Sequence, residues 1–269
     1  MLAKRRHDSL TAGHDEQHRR GVPLSDGVEA APRDPGAPGA LAPVHRNGYL
    51  YWVMKVVLTP VLTLMFRPRV DGREHVPKDG PAVLACNHVS YLDWLLLPLV
   101  VRTRRISFLA KQEYFTEAGL RGRLKRYFFS ATGQVPVDRS GSDAASAALR
   151  TAGRLIGEGR LVGIFPEGTR SRDGRLHRGR TGIARLAAET GAPVVPCATV
   201  GLFDAAPAGA RLPRPRRVQV RFGAPLTFPT VAGSTPSPAE LRAWTDGLMS
   251  AIQKLSGQER SDVDDIVPL

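Results

Sequence analysis

The chain has 269 residues, with 38 Lys and Arg against 25 Asp and Glu, a formal charge of +13. Its 42% hydrophobic and 23% charged content is enough for a packed core and excludes wholesale disorder. Two cysteines, Cys86 and Cys197, exclude a disulfide framework and a four-cysteine zinc site, and their apolar surroundings read as reduced core thiols.

Residues 1–48 contain no aromatic residue and carry five Pro, six Gly and nearly balanced charge. Such a segment buries too little apolar surface to offset its ordering entropy, so it reads as a disordered polar tail. Arg5-Arg6 is followed by no apolar run, so it is not a twin-arginine signal, and His14 and His18 read as plain tail histidines rather than metal ligands. At Tyr49 the pattern changes. Residues 49–66, YLYWVMKVVLTPVLTLMF, hold one charge, Lys55. As a helix they would measure about 27 Å, short of a hydrocarbon core of about 30 Å. Pro60 should interrupt them, and Tyr49, Tyr51 and Trp52 cluster at one end. The segment 49–68 therefore reads as a helix embedded in or lying on one leaflet; a core helix and a single span stay open.

From about residue 70, short apolar or alternating runs read as strands: 81–87, 105–110, 133–138, 161–165, 193–200 and 217–223. Helical stretches lie between several of them. One is capped by Ser142 and ends near Gly157; one covers 180–190 and closes at Gly191; the last starts at Ser237 with Pro238 in its first position. The alternation predicts an α/β fold: a single domain over 69–256, with a largely parallel or mixed central sheet flanked by helices, plus the N-terminal membrane-associated helix. Residues 257–269 read as a loose acidic tail.

Two motifs carry chemistry. The first strand runs into Asn87-His88-Val89-Ser90-Tyr91-Leu92-Asp93-Trp94, where Ser90 and Asp93 have capping-box spacing and place a helix start at Ser90. His88 then sits on the turn before the helix, and its imidazole can fold back onto the Asp93 carboxylate. A carboxylate holding one ring N–H leaves the other ring nitrogen as a base. Alone, His-x4-Asp reads equally as a structural histidine beside a capping Asp. The second motif is Phe165-Pro166-Glu167-Gly168-Thr169-Arg170-Ser171, where a strand empties into a glycine-containing turn equipped for phosphate. By composition alone, it could also be a solvated surface turn.

NHVSYLDW followed about 75 residues later by FPEGTRS resembles the glycerolipid acyltransferase family, and within it the 1-acylglycerol-3-phosphate acyltransferases. Four family blocks occur in order: Asn87–Asp93, Gly133–Arg139, Phe165–Ser171 and Val195–Ala198. The resemblance covers roughly residues 50–230. One departure is Arg178-Gly179, where the family often has Lys before the glycine, and charge is retained. The resemblance implies transfer of an acyl group from acyl-CoA or acyl carrier protein to the sn-2 hydroxyl of 1-acylglycerol 3-phosphate, giving phosphatidate. His88 would be the general base and Asp93 would orient it. Arg139, Glu167, Gly168, Thr169 and Arg170 would bind the substrate. It implies no metal or redox cofactor, and the lack of a G-x-S-x-G elbow agrees with a hydroxyl acceptor attacking directly.

The remaining charge fits that expectation. Residues 102–126 hold eight basic groups against Glu113 and Glu117, and 211–221 hold five arginines and no acid. Beside the helix at 49–66, this basic collar suits an anionic membrane surface, where a membrane lipid substrate would be met, or an acyl carrier protein. The expected location is the cytoplasmic face of the cell membrane, peripheral or monotopic. A sibling acyltransferase with another acceptor is the alternative: glycerol 3-phosphate, a lysophospholipid or a glycolipid. A more distant alternative is a non-catalytic basic protein on membrane or nucleic acid. No helix-turn-helix, RNA-binding aromatic pattern or zinc spacing supports a nucleic-acid partner.

Overall fold

The computed structural model describes residues 48–137, 144–207, 210, 212–229 and 234–261. The tail at 1–47, the proposed cap Ser142, Arg139, and residues 262–269 lie outside the described residues.

Period-two burial builds the sheet. In β2 (Ala82–Cys86) every residue is buried: Ala82, Leu84 and Cys86 pack into one apolar cluster, Val83 and Ala85 into another. A strand buried on both faces belongs at the centre of a covered sheet. The other strands are β1 (Arg69–Asp71), β3 (Ile106–Lys111), β4 (Gln134–Val137), β5 (Leu161–Ile164), β6 (Val194–Val200) and β7 (Gln219–Phe222). Their order is β1-β7-β6-β2-β5-β3-β4. All neighbours pair parallel except β6 and β7, so the sheet is mixed. The six expected strands are present; β1, only three residues long, carries too short a pattern to read.

The helices are α1 (Gly48–Phe66), α2 (Asp93–Val100), α3 (Glu113–Thr116), α4 (Gly119–Ala131), α5 (Ala144–Gly157), α6 (Gly182–Thr190), α7 (Leu202–Ala205) and α8 (Pro238–Ser256). Leu155 of α5, Leu186 of α6 and Leu248 of α8 cover one face of the sheet, while Phe66 of α1, Leu97 of α2 and Leu202 of α7 cover the other. α8 starts as its sequence says: the Ser237 hydroxyl accepts from Glu240 N–H and the Glu240 carboxylate accepts from Ser237 N–H.

α1 runs through Pro60 without interruption. Proline removes one helical donor, and the helix is held elsewhere: the Lys55 ammonium donates to the Val101 carbonyl at the end of α2 (2.6 Å), while Tyr51 and Phe66 are buried. Burial, with Arg102 nearby, lowers the Lys55 pKa to about 8. Among the described residues no helix is long and apolar enough to cross a membrane. Yet α1 exposes Tyr49, Trp52, Val56, Val57, Val61 and Leu64.

Residues 257–261, expected to be loose, are hydrogen-bonded into the domain. Gln258 receives Asn87 Nδ2 at 2.7 Å and donates to the Gly174 carbonyl at 2.7 Å, and Leu176 N–H donates to Glu259 O at 2.8 Å.

Candidate functional site

Strand register decides which residues meet. Ala85 lies opposite Ile164 in the β2–β5 pair, and Cys86 lies opposite Cys197 in the β2–β6 pair. Three residues past the first pair stand His88 and Glu167; two past the second stand His88 and Thr199. The carboxyl ends of three adjacent parallel strands thus open onto one spot, where the strand order reverses about β2.

His88 is held from every side. Its Nδ1 lies 2.8 Å from Asp93 Oδ2. That oxygen also accepts the backbone N–H groups of Val89 and Ser90, each at 2.9 Å, and Oδ1 accepts the Thr199 hydroxyl at 2.9 Å. Asp93 is fully buried and accepts four hydrogen bonds, the Nδ1–H of His88 among them, which leaves Nε2 as the ring's acceptor. The His88 backbone N–H donates to Glu167 Oε1 (2.8 Å), and its carbonyl accepts Ser171 N–H (2.7 Å).

The expected turn before α2 is present, but the helix begins at Asp93, not Ser90. The Ser90 hydroxyl donates to the Ala206 carbonyl at 2.6 Å and accepts Leu92 N–H, so it does not cap the third residue. Asp93 is turned toward Ser90 N–H and the imidazole instead. Two demands on one serine oxygen move the helix start by one turn.

Glu167 departs from its expected place. It is 1% exposed, and its second oxygen accepts the His177 backbone N–H at 3.0 Å. Burial raises its pKa from 4.5 to about 7, against the pull of the His177 and His88 N–H bonds, with the Asp93 and Asp173 charges adding to the rise. Its carboxyl group ties the His88 turn to the loop after β5, one oxygen on each backbone N–H.

Gly168 stands exposed at the tip of that loop with φ +76°. A Cβ there would lie 2.7 Å from Arg180 Nε, so the glycine lets a guanidinium lie flat on the turn. Thr169 and Arg170 follow, half-buried. Arg170 is one residue from the Ser171–His88 hydrogen bond. Arg139, the other expected phosphate contact, lies outside the described residues.

Sequence reasoning missed Thr199, Ser171 and Arg180. Thr199 is 106 positions from Asp93, and no local spacing points to it. Arg180 had a signal, being one more arginine in the loop of Arg170 and Arg178. Asn87, the first residue of the motif, is buried and links β2 to β6 by accepting Thr199 N–H at 2.8 Å. Among the described residues no three His, Cys, Asp or Glu side chains gather as a metal site.

A mixed sheet flanked by helices thus carries a carboxylate-held imidazole beside an arginine-bearing glycine turn, an α/β fold with a polar site at the carboxyl ends of its central strands. The family described as Acyltransferase matches residues 67–200. The 1-acyl-sn-glycerol-3-phosphate acyltransferase of Bacillus subtilis is 31% identical over 202 residues, 75% of this chain and 94% of that protein. The chloroplastic enzyme of the same name from Brassica napus is 30% identical over 166 residues, 61% of this chain and 46% of that protein. The crystal structure of the 1-acyl-sn-glycerophosphate acyltransferase of Thermotoga maritima shares the fold. Its TM-score is 0.58 at 24% identity, over 77% of this chain and 80% of that one. The chain belongs to the acyltransferase family, and it is an acyl-transfer enzyme.

Proposed function

We propose that the enzyme transfers an acyl group from a thioester of coenzyme A or acyl carrier protein to the sn-2 hydroxyl of 1-acylglycerol 3-phosphate, giving phosphatidate. The observation that carries this reading is the 2.8 Å contact of His88 Nδ1 with the buried Asp93 carboxylate, beside the turn of Gly168 and Arg170. The names and extents of the similar proteins support the acceptor.

His88 Nε2 takes the hydroxyl proton as the oxygen attacks the thioester carbonyl. The C–S bond breaks, and the imidazolium returns its proton to the leaving thiolate. Asp93, beside the forming imidazolium, stabilises it as the hydroxyl proton arrives. The Arg170 and Arg180 guanidiniums hold the acceptor phosphate, and Gly168 lets the phosphate approach the backbone.

The acceptor is a membrane lipid, and the surface fits one. The exposed face of α1 adjoins α4, which exposes Leu120, Leu124 and Tyr127 at helical spacing among Arg121, Arg123, Lys125 and Arg126. Apolar side chains that enter the lipid boundary and basic ones that pair with anionic headgroups support a location at the cytoplasmic face of the membrane.

The test is thiol release from an acyl thioester, with and without lysophosphatidate, for the wild type and His88→Ala. Release that requires the acceptor and disappears in the folded variant supports the reading. Acceptor-independent release, or activity near wild type in His88→Ala, overturns it.

A further inference from the structure

The hydrogen bond that His88 Nδ1 donates to Asp93 holds one ring atom and does not by itself set the plane of the imidazole. A second contact sets that plane. The His88 and Phe165 rings lie face to face, with centroids 3.9 Å apart and planes 12° from parallel. Phe165 is in turn backed by Phe108, at 5.7 Å and 15°.

The stack has a backbone origin. Phe108 of β3 lies opposite Gly163 of β5. A Cβ on Gly163 would fall 2.2 Å from Phe108 Cε1, so the ring occupies the space a side chain there would fill. Phe108 is 2% exposed and cannot retreat. Phe165, two residues beyond Gly163, rises on the same side of the strand and meets the Phe108 ring. On its other face stands His88, two residues beyond Cys86 on the adjacent strand.

We propose that Phe165, backed by Phe108 over Gly163, is a positioning residue: it sets the plane of the His88 imidazole and stabilises the imidazolium that forms as the acceptor hydroxyl is deprotonated. The negative face of an aromatic ring attracts a cation stacked on it, and it does so more strongly where water is displaced. His88 is 16% exposed, and as the base it carries a positive charge once it has taken the hydroxyl proton. The interaction is therefore stronger in the transition state than in the resting enzyme and acts on kcat rather than on substrate binding. Phenylalanine also brings no hydrogen-bonding group to compete for Nε2, which stays available to the acceptor.

This inference rests on His88 acting as the base, and the experiment separates the two. The first measurement reads the ring C–H proton resonances of His88 in the wild-type enzyme, assigned by their loss in His88→Ala. A face-to-face phenyl ring shifts them upfield. Resonances at ordinary positions overturn the stack whatever the base is. The second is kinetic. In Phe165→Leu, kcat is expected to fall about tenfold, with KM for lysophosphatidate within about twofold, while Phe165→Tyr stays within about threefold of wild type. Phe165→Met repeats the test should the leucine variant unfold, and Gly163→Ala, which pushes Phe108 toward Phe165, lowers kcat as well. A loss confined to KM, or equal losses in the leucine and tyrosine variants, overturns the proposal. Wild-type activity in His88→Ala with an intact upfield shift instead removes the base and leaves the stack standing.

Discussion

Replacing Asp93 with Asn separates charge from shape at the centre of the site. The carboxylate is fully buried, and its Oδ2 sits 2.8 Å from His88 Nδ1. An amide of the same shape can turn its oxygen toward His88, Val89 and Ser90 and its NH2 toward Thr199, whose hydroxyl rotates to accept. The fold is thus retained, and what is lost is the negative charge facing the imidazolium. With charge centres about 4 Å apart and an effective dielectric of about 20, that attraction is on the order of 4 kcal/mol. Expressed at the barrier, it predicts a fall in kcat of about 10³. KM for the acceptor should barely change, because the attraction that is lost is the one to the imidazolium formed as the hydroxyl proton arrives. The assay is acceptor-dependent thiol release at saturating thioester and lysophosphatidate, with thermal unfolding measured on the same preparations. A folded Asp93→Asn enzyme retaining more than a tenth of wild-type kcat refutes the electrostatic role, as does a loss that appears only in KM.

Glu167 gives a pH prediction of definite sign. Burial raises its folded pKa from 4.5 to about 7, so ionising it costs more in the folded chain than in the unfolded one. Its contribution to stability is full below about pH 4.5 and is lost as pH rises to about 7, a change of up to about 3 kcal/mol. Gln at this position does not titrate, so the stability of wild type relative to Glu167→Gln should drop across that window; parallel urea-melt series from acid to neutral pH refute it. Gly168→Ala forces a side chain into φ +76° and against Arg180. The expected cost is about 1–2 kcal/mol of stability, with a several-fold rise in acceptor KM; a variant indistinguishable from wild type in both denies the close approach of ligand to this turn. Val57→Asp with Leu64→Asp places two charges on the exposed face of α1. Sedimentation with anionic vesicles should fall at least tenfold while turnover of a water-soluble short-chain acceptor persists, and undiminished binding would remove α1 from the membrane surface.

Much of the fold was legible because its determinants are local. The apolar alternation of 81–87 and 193–200 marks buried strands whatever lies beside them, and Ser237 with Glu240 writes its own helix start. The His88 turn was legible for the same reason: the imidazole and the carboxylate are five residues apart. Where two partners compete, local reading fails. The Ser90 hydroxyl goes to Ala206, on the segment after β6, so the capping box does not form as spaced.

The sequence by itself determined the element types, the His88–Asp93 pair and the arginine-bearing turn, since each depends on chemistry within a few residues. The tertiary structure alone decided the roles. Register between β2, β5 and β6 turned Glu167 inward onto two backbone N–H groups, brought Thr199 to Asp93, and laid Phe165 on the His88 ring. Which strands become neighbours is settled by packing the whole sheet between its two helical layers, and no stretch of sequence read alone contains that choice.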